Sequence, residues 1–493
     1  MTRIATLCLM VASATNVLAA QSLSKRLDRK LDAPGLERHI WGVAVTDLNG
    51  KLLYGRNADR MFIPASNTKL VVSAVATALL GPDFKVTTSV YGTGPITDGT
   101  LHGDLVLYGR GDPTLSKRCY RVDTLAPGAC DRESGSRLRD LAMQLHARGV
   151  RTVDGDLVGD GSYFIDEIVH PAWEGYDLNW WYAAPVSGLG FNDNSVDIRI
   201  TSRDTAGGQP GITMSPDIGV ARIENRAHIG PRNSPRTVDV IRSRDGTSYV
   251  ATGSVPAGAA ARTESAAILD PNGFAATALR HELLAAGITV RGMVRSTSDS
   301  LTYRHARAGI ALAEVQSRPL KDWIFPILNT SQNWFAEMTL KQLGRQFGTA
   351  GSWDEGLRVE RRFLIDSMKI DSTQFAVTDG SGLAANNLMS PLAFTKLLQF
   401  IRAHRNYPTF AAGLPQSGSI GSLRRRFTGT PLEGRVRAKT GSISRVNTLS
   451  GYVERSDGQV LIFSVQANHH TLGSARMLPA IDSVVVELSG KLR

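Results

Sequence analysis

A lysine three residues after a serine, at the mouth of an apolar helix, is the first feature here that can do chemistry. It is Ser66-Asn67-Thr68-Lys69, followed by the small-apolar run LVVSAVATALL. On a helix, positions i and i+3 share a face, so Ser66 and Lys69 point into one space. A buried ammonium is costly unless it is paired or loses its proton. A lysine kept neutral by burial and a nearby cation can take the serine proton, which makes Ser66 a nucleophile for acyl transfer. The helix N-terminus favours the negative charge that develops there.

Two further groups complete the chemistry. Lys439-Thr440-Gly441-Ser442 lies in the strand-like run VRAKTGSI, and a strand edge binds an extended peptide by β-addition. Lys439 supplies a cation and Thr440 and Ser442 supply hydroxyls, so the segment Lys439 to Ser442, Gly441 included, reads as a carboxylate clamp. The Ser442 N–H is expected to complete an oxyanion hole with the Ser66 N–H. In Ser331-Gln332-Asn333, Ser331 can relay a proton to a leaving amine and Asn333 can hold an amide. Each motif alone is weak. Ser-x-x-Lys also occurs at Ser22 and Lys25, with no apolar helix behind it. All three in order, each in the right local context, make a strong signal.

The elements that must position these residues come from both chain ends. IWGVAVTDLNGKLLYG reads as a hairpin around Asn49-Gly50. The Ser66 helix follows and stops at Gly81-Pro82. From about Lys85 short β-like segments alternate with glycine-rich turns. Helical patterns dominate after about Ala311, and two strands around Ser456-Asp457-Gly458 precede a last helix. The reading is an α/β (α+β) catalytic domain, an antiparallel sheet flanked by helices, at residues 21–90 and 312–493. An insertion domain is expected at 91–192 and 267–311, with a nested β-rich domain at 193–266.

Bulk properties bound the location and the partners. The chain has 493 residues, a formal charge of +11 and a pI of about 9.7. That balance admits a peripheral association with a membrane or wall and by itself selects no partner; a nucleic-acid partner is not expected. Arg3, the apolar IATLCLMVA and the small residues of NVLAAQS read as a signal peptide over residues 1–20, cut near Ala19 or Ala20. The chain is therefore expected in the periplasm or otherwise exported. Cys119 and Cys130 then favour one disulfide. No metal or other cofactor is expected: the histidines show no ligand spacing, and His469 and His470 read as surface or supporting residues.

The three motifs together resemble the set shared by penicillin-binding proteins and class A β-lactamases. Nearly the whole mature chain resembles the low-molecular-mass class C penicillin-binding proteins, the D-alanyl-D-alanine carboxypeptidase/endopeptidase family. GRGDPTL (Gly109–Leu115), the text at Trp181–Val196, VTDGSGLAANNLMSP (Val377–Pro391) and LPQSGSIGSLRRRF (Leu414–Phe427) extend the likeness. Where the family often has Asp in the second motif this chain has Gln332, and Ser442 stands where Thr is common.

The resemblance implies a penicillin-binding transpeptidase-like fold with a large insertion. It implies an exported serine DD-peptidase that cleaves D-Ala-D-Ala termini or D-amino-acid cross-links of peptidoglycan through an acyl-enzyme at Ser66. Stem peptides would be its substrates and β-lactams its covalent inhibitors. The catalytic set would be Ser66, Lys69, Ser331, Asn333 and Lys439. Trp181 and Tyr182, in the aromatic run Trp173–Pro185, are read either as a wall of the substrate groove or as packing between domains. Arg424, Arg425 and Arg426 are read either as an approach to anionic groups or as a solvated face. Asp379, Ser381 and Gly382 are expected to shape a turn beside the site. The alternatives are a β-lactamase, disfavoured by the large insertion and the lack of a placed glutamate, and a non-catalytic wall-binding protein, disfavoured by the intact Ser66, Lys69 and Lys439. Ligand spacing for a zinc peptidase and a Gly-x-Ser-x-Gly elbow are both missing.

Overall fold

Strands Ile40–Thr46 and Leu52–Arg56 form the hairpin that Asn49-Gly50 announces, with Gly50 at φ +82° where a side chain would be strained. The computed structural model describes residues 23–116, 118 and 136–490. The expected signal peptide and the expected Cys119–Cys130 disulfide lie outside the described residues. Among the described residues no helix is long and apolar enough to cross a membrane.

The chain forms two compact units. The first takes Met1–Asp83, Leu320–Gln332 and Gly356–Arg493. Its sheet is fully antiparallel, and Ile40–Thr46 pairs with Val460–Asn468, so both chain ends build it. Val446–Glu454 follows, and Val436–Ile443 is the last strand at that edge. One face is closed by residues 23–31 and the terminal helix Ser474–Val486, through a core that includes Leu27, Trp41, Leu449, Phe463 and Ile481. The other face meets the turn Ala65–Thr68, from which the helix Lys69–Leu79 runs on. The helix Pro391–Ala403 packs there too; the Ser390 hydroxyl caps it by accepting from the Ala393 N–H, and Pro391 sits where its missing N–H costs nothing.

The second unit takes Phe84–Pro319 and Asn333–Glu355. Its central sheet runs Val294–Thr297, Leu157–Asp160, Leu105–Tyr108, Thr87–Gly92, Ala313–Gln316, with the first three strands parallel. This pairing moves the expected boundaries. A cut at 90/91 would pass through strand Thr87–Gly92, and a cut at 311/312 would strand its partner Ala313–Gln316 in the other unit. Residues 333–355 also group here: Trp334 Nε1 donates to the Pro185 carbonyl at 2.9 Å, and Lys341 Nζ to the Glu167 carbonyl at 2.5 Å. Residues 193–266 carry three small sheets. Their buried side chains, among them Ile198, Ile200 and Tyr249, join the same core as Phe274 and Leu279 of the helix Pro271–Ala285.

Candidate active site

The site in the first unit starts from a tight turn. Ala65–Thr68 is a 3-10 turn that passes directly into the helix Lys69–Leu79. Side chains at i and i+3 eclipse one another in a 3-10 turn, and Lys69 Nζ lies 3.1 Å from Ser66 Oγ. Ser66 is partly exposed, whereas Lys69 is fully buried. Its Nζ also donates to the Ser381 carbonyl at 2.6 Å.

That carbonyl is delivered by the turn expected from Asp379, Ser381 and Gly382. Asp379 accepts from the N–H groups of Gly382 and Ala384, each at 2.7 Å, and from Asn387 Nδ2 at 2.9 Å. Gly382 is at φ +77°, and a Cβ there would lie 1.9 Å from the Ala65 carbonyl oxygen. The turn therefore closes onto the Ser66 turn in a way only glycine permits. Ala65 itself is at φ +47°, as is Ser331 at φ +63°. Such backbone costs on the order of 1–3 kcal/mol per residue and gathers at functional sites.

Ser331 and Lys439 form a second pair. Lys439 is fully buried, and its Nζ donates to Ser331 Oγ at 2.9 Å and to the Thr440 carbonyl at 2.8 Å. Burial first, and then the charge of Lys69, push the Lys439 ammonium well below the ordinary lysine range. The two lysines thus hold one proton between them far more readily than two.

The edge strand differs from a simple clamp. Side chains alternate along a strand, so Lys439 and Gly441 face the Ser66 turn while Thr440 and Ser442 face the other way. Thr440 pairs with Leu449, a residue of the core under the terminal helix. Its Oγ1 lies 2.9 Å from Ser422 Oγ, and Ser442 Oγ accepts from Asn447 Nδ2 at 2.8 Å. Gly441 is a packing requirement: a Cβ there would lie 2.2 Å from Thr448 Oγ1, 2.6 Å from the Pro64 carbonyl oxygen and 3.1 Å from the Asn67 nitrogen.

The Val436 N–H bonds Ser417 Oγ, and the Ala438 N–H bonds the Pro415 carbonyl. The same alternation turns the N–H groups of Thr440 and Ser442 outward, beyond the end of that covering segment. They offer the donors that an added peptide strand and an oxyanion require.

Asn333, Trp181 and Tyr182 belong to the second unit. The unit boundary separates Gln332 from Asn333, and Asn333 starts the helix Asn333–Phe347 of the second unit, where its Nδ2 donates to the Tyr182 carbonyl at 2.7 Å. Trp181 and Tyr182 are partly buried in the same unit, and the Tyr182 hydroxyl donates to Asp177 at 3.0 Å. Arg426 is no free cation: its guanidinium grips Asp482, with Nε 3.0 and 3.1 Å from the two carboxylate oxygens. Arg424 and Arg425 are exposed. His469 is exposed, whereas His470 is buried, with Nδ1 2.7 Å from the Leu472 carbonyl. Among the described residues no cluster of three or more His, Cys, Asp or Glu could hold a metal. The sequence reading missed Ser422, Asn447 and the Ser381 carbonyl. Ser422 stood inside the LPQSGSIGSLRRRF segment, which was the available signal.

The D-Ala-D-Ala carboxypeptidase 3 (S13) family model matches residues 23–488. A D-alanyl-D-alanine carboxypeptidase of Actinomadura sp. (strain R39) is 32% identical over 481 residues, 95% of this chain and 84% of that protein. A penicillin-sensitive carboxypeptidase A of Dictyostelium discoideum is 26% identical over 475 residues, 91% of this chain and 87% of its own length. Penicillin-binding protein 4 (dacB) from Haemophilus influenzae has the same fold, with a TM-score of 0.79 at 21% identity over 94% of this chain and 99% of that one.

Proposed function

Belonging to the D-Ala-D-Ala carboxypeptidase 3 (S13) family, this chain is a serine-type DD-peptidase of peptidoglycan, and we propose that Ser66 is its nucleophile and Lys69 its general base. The observation that carries the assignment is the pairing of two fully buried lysines with two serines, Lys69 with Ser66 and Lys439 with Ser331. Lys69 acts as base in the one-proton state that leaves its amine neutral, with the Lys439 ammonium held by Ser331 Oγ and the Thr440 carbonyl. Lys69 takes the Ser66 hydroxyl proton as Oγ bonds to the carbonyl carbon of the penultimate D-residue. The outward N–H of Ser442 and that of Ser66 hold the oxyanion. The C–N bond then breaks, and the leaving amine takes a proton from the Lys439 ammonium through Ser331 Oγ. Water hydrolyses the Ser66 ester and restores the enzyme.

Asn333 keeps the amide-holding role that its motif suggests, on sequence grounds. Cleavage of cross-links uses the same chemistry as cleavage of a terminal D-Ala, since both scissile bonds precede a D-centre. β-Lactams then act as covalent inhibitors, because the opened ring keeps its leaving group tethered. Export through the N-terminal leader belongs to the same proposal.

The test is mass spectrometry of penicillin-treated protein. The expected result is one stable adduct on the peptide that contains Ser66, and almost none in Lys69→Arg, whose guanidinium keeps its proton. A label on another serine, or full labelling of Lys69→Arg, would overturn the assignment. Rapid loss of the adduct would instead mark a β-lactamase. Digestion of a pentapeptide monomer beside a cross-linked dimer measures the two peptidase activities.

A further inference from the structure

Arg437 stands two residues before Lys439 on the same face of the edge strand, about 7 Å along it. It lines a cleft of about 380 Å³ with Arg402, Arg435, Tyr407, Tyr452 and Glu454. The size suits a ligand of one sugar or a short peptide end. Arg437 lies opposite Tyr452 in the strand pair, and the rings of Tyr452 and Tyr407 meet edge to face at 5.8 Å. The Arg402 guanidinium lies 4.4 Å from the centre of the Tyr407 ring. Arg435 donates to the Arg455 carbonyl at 3.1 Å.

Three guanidiniums so gathered usually meet acids. Among the described residues none of these three forms an ion pair, and Glu454 is the one lining acid. The cleft therefore holds a net charge of +2 from these residues. Guanidinium forks match the two oxygens of a planar carboxylate. The Tyr407 phenol, which burial pushes above its ordinary value against the pull of Arg402 and Arg437, can add an O–H donor. None of these residues takes part in acyl transfer at Ser66.

We propose that this cleft is a carboxylate-binding subsite for wall fragments, separate from the acyl-transfer centre. The source of the carboxylate rests on the peptidoglycan reading: the polymer carries free carboxylates on its stem peptides, and on its acidic sugar where a stem has been removed. Anchoring either one would hold a long substrate while a stem is cut.

The experiment titrates the full protein, by calorimetry and by NMR, with N-acetylmuramic acid, with N-acetyl-D-alanine, with the methyl ester of each, and with inorganic phosphate. Saturable binding of one acid and not its ester is expected, and it names the source. Arg402→Gln and Arg435→Gln should each weaken it about tenfold or more. Both variants should hydrolyse a D-Ala-D-Ala tripeptide at the wild-type rate, which shows that they fold and that the catalytic reading stands independently. Esters that bind like acids, phosphate that binds as tightly as either acid, binding that survives in the double variant, or no saturable binding would each overturn the subsite. Loss of tripeptide hydrolysis in both variants would overturn its separation from the catalytic centre.

Discussion

Replacing Gly441 by alanine tests whether the edge strand must lie tight against the Ser66 turn. The added Cβ would stand 2.2 Å from Thr448 Oγ1 and 2.6 Å from the Pro64 carbonyl oxygen, against a normal carbon contact of about 3.5 Å or more. Thr448 can be trimmed. Pro64 cannot, because its carbonyl is backbone and accepts from both Thr448 Oγ1 at 2.9 Å and the Asn67 N–H at 3.1 Å. The strand or the turn must therefore yield by most of an ångström. Overpacking of this kind costs roughly 1–3 kcal/mol of stability. Its effect on chemistry is larger, because the strand carries Lys439 and the outward Ser442 N–H while the turn carries Ser66. A misplacement of about 1 Å costs on the order of 100-fold in rate. The assay is kcat/KM on a D-Ala-D-Ala peptide and the rate of penicillin acylation, with a thermal melt alongside. Gly441→Ala should melt somewhat lower and react about 100-fold more slowly. The double variant Gly441→Ala, Thr448→Ala should stay slow, since the Pro64 contact remains. A Gly441→Ala enzyme as fast as the wild type, or full rescue by Thr448→Ala, would refute the close-approach argument.

Thr440→Val removes the hydroxyl beside Ser422 without touching Lys439. If that hydroxyl reaches round the edge to a substrate carboxylate, the loss is roughly 10- to 150-fold in kcat/KM for a peptide with a free terminal carboxylate, and much less for its amide; equal losses on both would exclude Thr440 as a reader of the carboxylate. Lys341, in the second unit, sits over the Trp353 ring with Nζ 3.7 Å from its centre, and burial lowers its pKa to about 7 against the pull of Glu167, Glu337 and Asp166. The unfolded chain, with an ordinary value near ~10.4, binds that proton more readily between those values. Stability should therefore rise with pH above 7, by at most about 1.4 kcal/mol per pH unit from this group, and fall as pH drops through 7. Urea unfolding of wild type and Lys341→Met at pH 7, 8 and 9 reads the difference in slope, and parallel slopes would remove Lys341 from the explanation.

Much of the proposed constellation could be read from the sequence because its parts are side chains at fixed short spacings. Ser66 and Lys69 needed only the i, i+3 relation. Lys439 and Ser331 lie 108 positions apart, and only the resemblance joined them before the fold did. The hairpin at Asn49-Gly50 and the shared sheet of both chain ends were readable from turn chemistry and apolar runs. The Ser381 carbonyl was not, because a backbone oxygen leaves no mark in the sequence. The boundary near residue 90 followed a change in texture, whereas the fold is set by strand Thr87–Gly92 pairing with Leu105–Tyr108 and Ala313–Gln316. Nor does anything local in NWFAEMTLKQLG show that this helix belongs with the second unit; its contacts are to carbonyls far earlier in the chain, at Arg110, Glu167 and Pro185.

The division of labour along the edge strand follows a rule the sequence contained. A strand has period two, so Lys439 and Gly441 share one face and Thr440 and Ser442 the other. The fold divides their work by parity. Odd positions face the Ser66 turn: Lys439 supplies the buried cation and Gly441 the clearance. Even positions send N–H groups to the open edge, where an extended peptide would pair, and send their hydroxyls to the opposite face. There Asn447 fixes Ser442, and the Ser442 N–H is held in place by its own side chain's partner across the strand pair. In the proposed mechanism one edge strand thereby joins the proton-transfer pair to the oxyanion donor with no intervening loop. The separation between Lys439 and the Ser442 N–H is set by covalent geometry and ladder hydrogen bonds rather than by side-chain packing. That rigidity explains how strain at Ala65 and Ser331 is sustained: the turn of the one and the hydroxyl of the other are held against the same strand, by Gly441 and Lys439.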